Sequence, residues 1–418
     1  MQHSKNINCL SIGTSKVSVL IGQIPDDDSK INIIGVASVP SAGFKKGQII
    51  NLEQASQTIT ECVESAERMA GFQINHAYVS LTAPHFESIN STGVTAISGT
   101  NSEISQVDID RAIEAAKAIS LPTGKEIVHV IPRLFTVDGQ TGVVDPIGMN
   151  GQRLEVETHL ILASTSALKN LYKCLDDVGI KVDALLYSGL AAAKACLSDT
   201  ETELGVALID IGGTSTTLTV FQESSPVFSG VIPLGANNIT NDLAIGLRLP
   251  LEDSEKIKIK LKAYADKKGF EDEIDLKHLG VLGEDNRKIS FSTTVNGIIK
   301  ARLEEIIAFT YNQIKENSLE NSIPAGIVLT GGGAQTILAK EVCTNLIPLP
   351  VRIAEPPRLG GLVEDITNPA FASTIGTLLY FQNKKPSNKK NSTGGKKIKV
   401  SFDGLFGKIK SFIEPLLP

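Results

Sequence analysis

Cys9-Leu-Ser-Ile-Gly-Thr-Ser-Lys-Val-Ser-Val-Leu-Ile-Gly22 reads as a β-strand, a turn of small residues and a second strand. The tip, Gly13-Thr14-Ser15-Lys16, allows the backbone to approach a ligand closely, and successive N–H groups in such a turn form an anion-binding nest. Ser11 is a polar residue set inside the first strand just before the turn. A single hairpin of this kind also serves as a plain connection. A second one, Ile209-Asp210-Ile211-Gly212-Gly213-Thr214-Ser215, repeats the pattern 199 residues later and is followed by the strand Thr217–Phe221. Two copies suggest a duplicated α/β fold with one copy in each half. Polar residues at equivalent positions favour phosphate binding over two unrelated turns. Both turns lead from strand to strand, whereas a P-loop or Rossmann loop leads into a helix.

A third element, Ala325-Gly-Ile-Val-Leu-Thr-Gly331-Gly332-Gly333-Ala-Gln-Thr336, reads as a buried strand ending in three glycines, with a helix starting at once. A flat group could lie against a turn so free of side chains, although three glycines also make a simple strand-to-helix connector.

Composition narrows the classes. A chain of 418 residues suggests two or more domains. Trp is absent and aromatics are 5%, so base stacking and nucleic-acid binding are not expected as the main activity. Five widely spaced cysteines with no CxxC pair read as reduced, buried thiols of a cytosolic protein. The start lacks a secretory apolar region, and no run of about 18 apolar residues is present to span a bilayer. From Lys384 onward nine lysines face Asp403 and Glu414, giving a tail of +7 on a body of −13. An acidic body with a basic tail points to a tail with its own target.

Along the chain, Leu52–Ala70 reads as a helix ended by Gly71, and Ala77–Ala83 as a strand that stops at Pro84. Residues 84–163 read as short strands and one helix, Val107–Ile119, interrupting the regular α/β pattern like an inserted subdomain. Ala184–Leu197 reads as an apolar, Ala-rich helix fit for a close domain crossing, and Ala370–Phe381 as a last small-residue helix. Asn383–Lys397 reads as a polar linker with too few apolar side chains to fold.

In this order, the two hairpins and the glycine turn resemble the ATPase fold shared by actin, heat-shock chaperones and sugar kinases. That resemblance implies two duplicated α/β domains around a nucleotide cleft. Within the superfamily the chain resembles FtsA, the actin-like family of bacterial cell division. The likeness runs through Ile12-Gly-Thr-Ser-Lys16, Val128-His-Val-Ile-Pro132, Gly179-Ile-Lys-Val-Asp183, Leu208-Ile-Asp-Ile-Gly-Gly213, Gly326-Ile-Val-Leu-Thr-Gly-Gly332 and the basic, amphipathic end. It implies a first core subdomain of residues 1–83 and 351–382, an FtsA-type insertion at 84–163, a second core subdomain of 164–236 and 321–350, and its outer subdomain at 237–320. A flexible basic linker, 383–398, and an amphipathic membrane-targeting helix, 399–418, would complete the chain.

The resemblance further implies that ATP and Mg2+ occupy the cleft. Gly13, Thr14, Ser15, Lys16, Gly212, Gly213 and Thr214 would border the phosphates, and Gly331, Gly332 and Gly333 the adenosine. Glu255 and Lys258, one helical turn apart, match the family's helix beside ribose and adenine; their spacing alone fits a solvated ion pair equally well. The sequence departs from the family where an acid is usual, at Ser11 and at Thr217. Asp210 is left as the one carboxylate at the paired turns, the candidate for both catalysis and metal binding. Weak or absent hydrolysis is therefore expected, because phosphoryl transfer depends on positioning and charge neutralisation.

In the tail, Phe402, Leu405, Phe406, Ile409, Phe412, Ile413 and Leu416 follow one helical face, with Lys399, Lys408 and Lys410 off it. Residues 400–414 would cover about 22 Å, too short to span a bilayer, so such a helix lies in the interface with its lysines near anionic head groups. The linker, with a reach of roughly 20 Å, separates this stripe from the body and disfavours docking on it. The resemblance implies a filament-forming protein, peripheral on the inner face of the cell membrane at the division site. It would bind the C-terminal peptide of FtsZ in the outer subdomain, with Arg302 at a matching position, and later division proteins through the insertion. A plain ion pair of Arg302 with Glu305 is the structural alternative. A sugar or acetate kinase would need a base that Ser11 does not provide, and the pilus-assembly scaffold with an FtsA-like insertion lacks such a tail.

Overall fold

The computed structural model describes residues 5–24, 31–45, 47–98, 102–266, 271–281, 287–361 and 366–382. β1 (Lys5–Ile12), β2 (Lys16–Ile24) and β3 (Asn32–Pro40) form an antiparallel meander. They are followed by α1 (Leu52–Ala70), which the Asn51 side chain caps by accepting from the Gln54 N–H and which Gly71 ends at φ 81°. Its buried face, Ala55, Ile59, Cys62 and Ala66, packs on the sheet. β4 (His76–Leu81) then runs parallel to β1.

The chain next leaves for the insertion: β5 (Glu87–Ala96), α2 (Gln106–Lys117), β6 (Lys125–Val137), β7 (Gln140–Val143) and β8 (Arg153–Ser164). These make a four-stranded sheet in the order β5-β8-β6-β7, with its own small core around Ile109, Phe135 and Leu154. The expected short strands are long ones, up to 13 residues. Polar residues alternate along them because one face remains outside the core.

α3 (Thr165–Asp177), β9 (Lys181–Tyr187) and α4 (Ser188–Cys196) return the chain to the first half, so the second core does not begin at residue 164 as expected: β9 pairs in the first sheet and α3 packs in its core. The helix expected from Ala184 starts only at Ser188. Residues 184–187 continue the strand, because parallel pairing with β4 outweighs their helical preference. The first sheet is completed as β9-β4-β1-β2-β3 plus a short added strand.

The second half repeats that plan. β10 (Val206–Ile211), β11 (Thr216–Gln222) and β12 (Ser225–Ile232) form the meander. α5 (Ala236–Leu247), α6 (Leu251–Ala265) and α7 (Lys300–Glu316) build the outer part, with a π-helical stretch, Thr293–Ile299, leading into α7. β13 (Ile327–Thr330) and β14 (Val351–Ile353) run parallel to β10, giving the order β12-β11-β10-β13-β14. The helix expected directly after the three glycines is a 3-10 turn, Gly332–Gln335, and α8 (Ala339–Leu346) follows later. A boundary at residue 351 would cut off β14, which belongs to the second sheet.

After β14 the chain recrosses through Gly360–Gly361, beside β3, into α9 (Ala372–Phe381). α4 and α9 pack against each other so closely that a Cβ on Gly376 would lie 1.7 Å from the Ala191 carbonyl oxygen. The insertion is also fastened to the second half. The Asn90 amide donates to the Val227 carbonyl at 2.9 Å, the Ser229 N–H donates to Ser88 Oγ at 2.9 Å, and His159 Nε2 meets Ser229 Oγ at 2.9 Å. Burial lowers the pKa of His159 to about 3, so this seam holds a neutral imidazole.

Candidate functional site

The two glycine hairpins share one geometry. The Gly13 N–H donates to the Lys16 carbonyl at 3.0 Å, and the Gly212 N–H to the Ser215 carbonyl at 2.9 Å. Ile12 pairs with Val17 and Ile211 with Thr216, so Ser11 corresponds to Asp210 and Ser18 to Thr217. The tips meet across the gap between the halves: the Thr214 N–H donates to Thr14 Oγ1 at 3.3 Å. A Cβ on Gly213 would come within 2.6 Å of Ser15 Cβ, so a side chain here would force the two tips to shift. The N-terminus of α5 buttresses the second turn, with the Ala236 N–H on the Gly212 carbonyl and the Asn237 N–H on the Gly213 carbonyl.

Behind the tips opens a cavity of about 730 Å³, a size that suits a small-molecule ligand. Gly13, Thr14, Ser15, Lys16, Gly212, Gly213, Glu255, Lys258, Gly331, Gly332, Gly333 and Asp210 all line it. Thr214 is not part of the lining; it serves the contact between the tips. Gly331, at φ 85°, lies so near the Asp210 carboxylate that a Cβ would approach Oδ1 to 2.2 Å.

At the paired turns charge is sparse and desolvated. Burial raises the Asp210 carboxyl to about 6, while Lys16 pulls it back through space. Burial likewise lowers the Lys16 ammonium to about 8, with Asp210 opposing. Ser11 lies against Ser373 at 3.3 Å between hydroxyls and brings no charge. Thr217 is buried in β11 opposite Asp210, outside the cavity lining.

Lys258 is buried, ion-paired to Glu255 at 2.7 Å, and donates to Thr240 Oγ1 at 2.8 Å and to the Ala236 carbonyl at 3.2 Å. Burial holds its pKa below the ordinary value, against the pull of Glu255. Lys262 and Asp266 also line the cavity, continuing the Glu255 and Lys258 face at helical spacing. That continuation was readable in the sequence. Asn237 and Phe371 line it as well, and no local signal marks them.

Arg302 lies outside the cleft. It joins α7 to α5 by donating to the Asp242 carboxylate at 2.6 and 3.0 Å and also pairs with Glu305, and the hydrogen bonds it donates to Asp242 hold its pKa above the ordinary value. Phe402, Leu405, Phe406, Ile409, Phe412 and Ile413 fall outside the described residues. Among the described residues, no helix is long and apolar enough to cross a membrane.

A magnesium nucleotide suits these residues. At the paired turns the cleft offers backbone in place of side chains, with one lysine, Lys16, and one carboxylate, Asp210, which accords with Mg2+ held through few protein ligands and substrate phosphates. Among the described residues, no cluster of three or more His, Cys, Asp or Glu suggests a dedicated metal cage.

Residues 207–376 match the family model described as cell division protein FtsA, and residues 83–162 match the SHS2 domain inserted in FtsA. The chain is 37% identical over 416 residues to cell division protein FtsA of Neisseria meningitidis, covering 99% of each protein. It is 38% identical over 372 residues to that of Bacillus subtilis, covering 89% of this chain and 82% of the relative. Among solved structures, the PilM-PilN type IV pilus biogenesis complex aligns over 90% of this chain and 98% of the other at TM-score 0.60 and 16% identity. MreB5 of Spiroplasma citri bound to ADP aligns over 90% of this chain and 96% of the other at TM-score 0.51 and 16% identity. At such identities these neighbours establish the fold alone, an actin-like ATPase fold, and the inserted subdomain rests on the family match at residues 83–162.

Proposed function

The chain belongs to the FtsA family of cell division proteins, and on that premise we propose that it binds Mg2+-ATP in the cleft, polymerises and tethers the FtsZ ring to the inner face of the cytoplasmic membrane. The observation that carries the nucleotide reading is the apposition of the two hairpin tips, with the Thr214 N–H on Thr14 Oγ1. A polyphosphate set behind that contact would meet backbone N–H groups of both turns and the Lys16 ammonium. Bound magnesium would supply charge neutralisation at the phosphates, held on the protein side by Asp210. Hydrolysis is slow in this reading, since Ser11 carries no charge where the family pattern has an acid. The SHS2 insertion is the face for later division proteins, and the outer part around Arg302 the face for the FtsZ C-terminal peptide. That arginine is already engaged by Asp242, so a peptide carboxylate would have to compete with an intramolecular pair.

Residues 399–418 supply the membrane contact in this reading. Apolar burial and on the order of 1 kcal/mol per lysine near anionic lipid would hold the protein down. Co-sedimentation with FtsZ on anionic lipid vesicles, with and without ATP, tests the proposal. Full-length protein should bring FtsZ to the vesicles, and a chain ending at Phe381 should not. Equal recruitment by both would remove the tether.

A further inference from the structure

Among the described residues, Phe371 is the one aromatic lining the cleft. It ends the 3-10 turn Pro369–Phe371, at the head of α9, and is packed in a core cluster with Ile7, Cys9, Leu20 and Ile375. The Lys16 Nζ lies 3.3 Å from the centroid of its ring, where the negative face of the π-system attracts a cation. The two residues come from opposite ends of the chain: Lys16 opens β2 at the edge of the first glycine turn, and Phe371 arrives only after the chain has recrossed from the second half. Burial strips water from this ammonium, and the ring face offsets part of that loss.

We propose that Phe371 is a positioning residue for nucleotide, its ring holding the Lys16 ammonium over the cleft and directed at the polyphosphate. The inference rests on the nucleotide reading above and adds to it a residue at the head of the crossing helix that sets phosphate affinity. It also separates ligands by charge, since a nucleoside monophosphate draws less on Lys16 than a triphosphate does.

Calorimetric affinities for Mg2+-ATP and AMP, measured on full-length wild type, Phe371→Leu, Lys16→Met and the double variant, test it. Phe371→Leu keeps apolar volume but removes the ring face, and should weaken ATP about threefold to tenfold while changing AMP less than about twofold. The double variant should bind ATP no more weakly than Lys16→Met alone, because the ring acts through the ammonium. Phe371→Tyr should retain wild-type affinity. Should Phe371→Leu fail to fold by circular dichroism, Phe371→Met carries the same expectation. Unchanged ATP affinity, equal losses for ATP and AMP, or additive losses in the double variant would each overturn the proposal. Wild type that binds neither nucleotide would refute the nucleotide reading itself, and this inference with it.

Discussion

Asp210 is where burial and function pull in opposite directions. Its carboxyl is raised by desolvation to about 6 from an ordinary 3.8. Between those values the folded protein binds more protons than the unfolded chain, so the group's contribution to stability falls as pH rises through that window. At pH 7 the protein therefore carries a desolvated carboxylate that destabilises it and that a cation would relieve. Asp210→Asn should raise the melting temperature of the ligand-free protein at pH 7 by a few degrees. In wild type, affinity for Mg2+-nucleotide should fall by about tenfold per pH unit below about 6 as a proton competes with the cation. Asp210→Asn should bind more weakly at pH 7 and show no such slope; calorimetry at pH 5, 6 and 7 measures it, and a flat wild-type profile would contradict the assignment. Ser11 makes the complementary case. Ser11→Asp puts a carboxylate at the position equivalent to Asp210 on the first turn, and single-turnover phosphate release should rise about tenfold or more; no change would show that this position does not limit hydrolysis. Both residues were legible in the sequence, because the hairpins could be laid over one another. Phe371 was not, since its role depends on a contact across 355 positions of chain.

At the scale of elements, the crossing of α4 and α9 fixes the relation of the two halves. Gly376 is there because the Ala191 carbonyl occupies the space of its absent side chain. Gly376→Val should cost on the order of 1–3 kcal/mol by forcing the helices apart, seen as a lower urea midpoint. Gly297→Ala is the control, because the nearest atom to its added Cβ is 3.9 Å away and the site is exposed. If both substitutions shift the midpoint equally, the close crossing is not what Gly376 provides. The small-residue character of these helices was readable in the sequence, but the start of α4 was not: Ala184-Leu-Leu-Tyr187 suits a helix or a buried strand, and only the neighbouring β4 settles which. The helical spacing of Glu255 and Lys258 was visible, and its extension to Lys262 and Asp266 along α6 follows the same rule.

Across the whole molecule, one plan is used twice. Each half is a three-stranded meander with two parallel strands added beside its first strand, and each meander turns on a glycine corner. Duplication explains why the fold could be read from two short segments far apart in sequence: equal local patterns impose equal hairpins, and equal hairpins in paired sheets can face one another. Long-range pairing such as that of β14 with β13 leaves no comparable local trace, which is why a boundary at residue 351 falls inside the second sheet. The insertion bridges the arrangement, covalently part of the first half and hydrogen-bonded to β12 of the second.

A crystal structure of the protein with Mg2+ and a non-hydrolysable ATP analogue tests the central claim most directly. The triphosphate should lie between the Gly13–Lys16 and Gly212–Ser215 turns, with the base beside Glu255, Lys258 and the Gly331–Gly333 turn. A nucleotide bound elsewhere, or a saturated crystal with nothing between those turns, would contradict it.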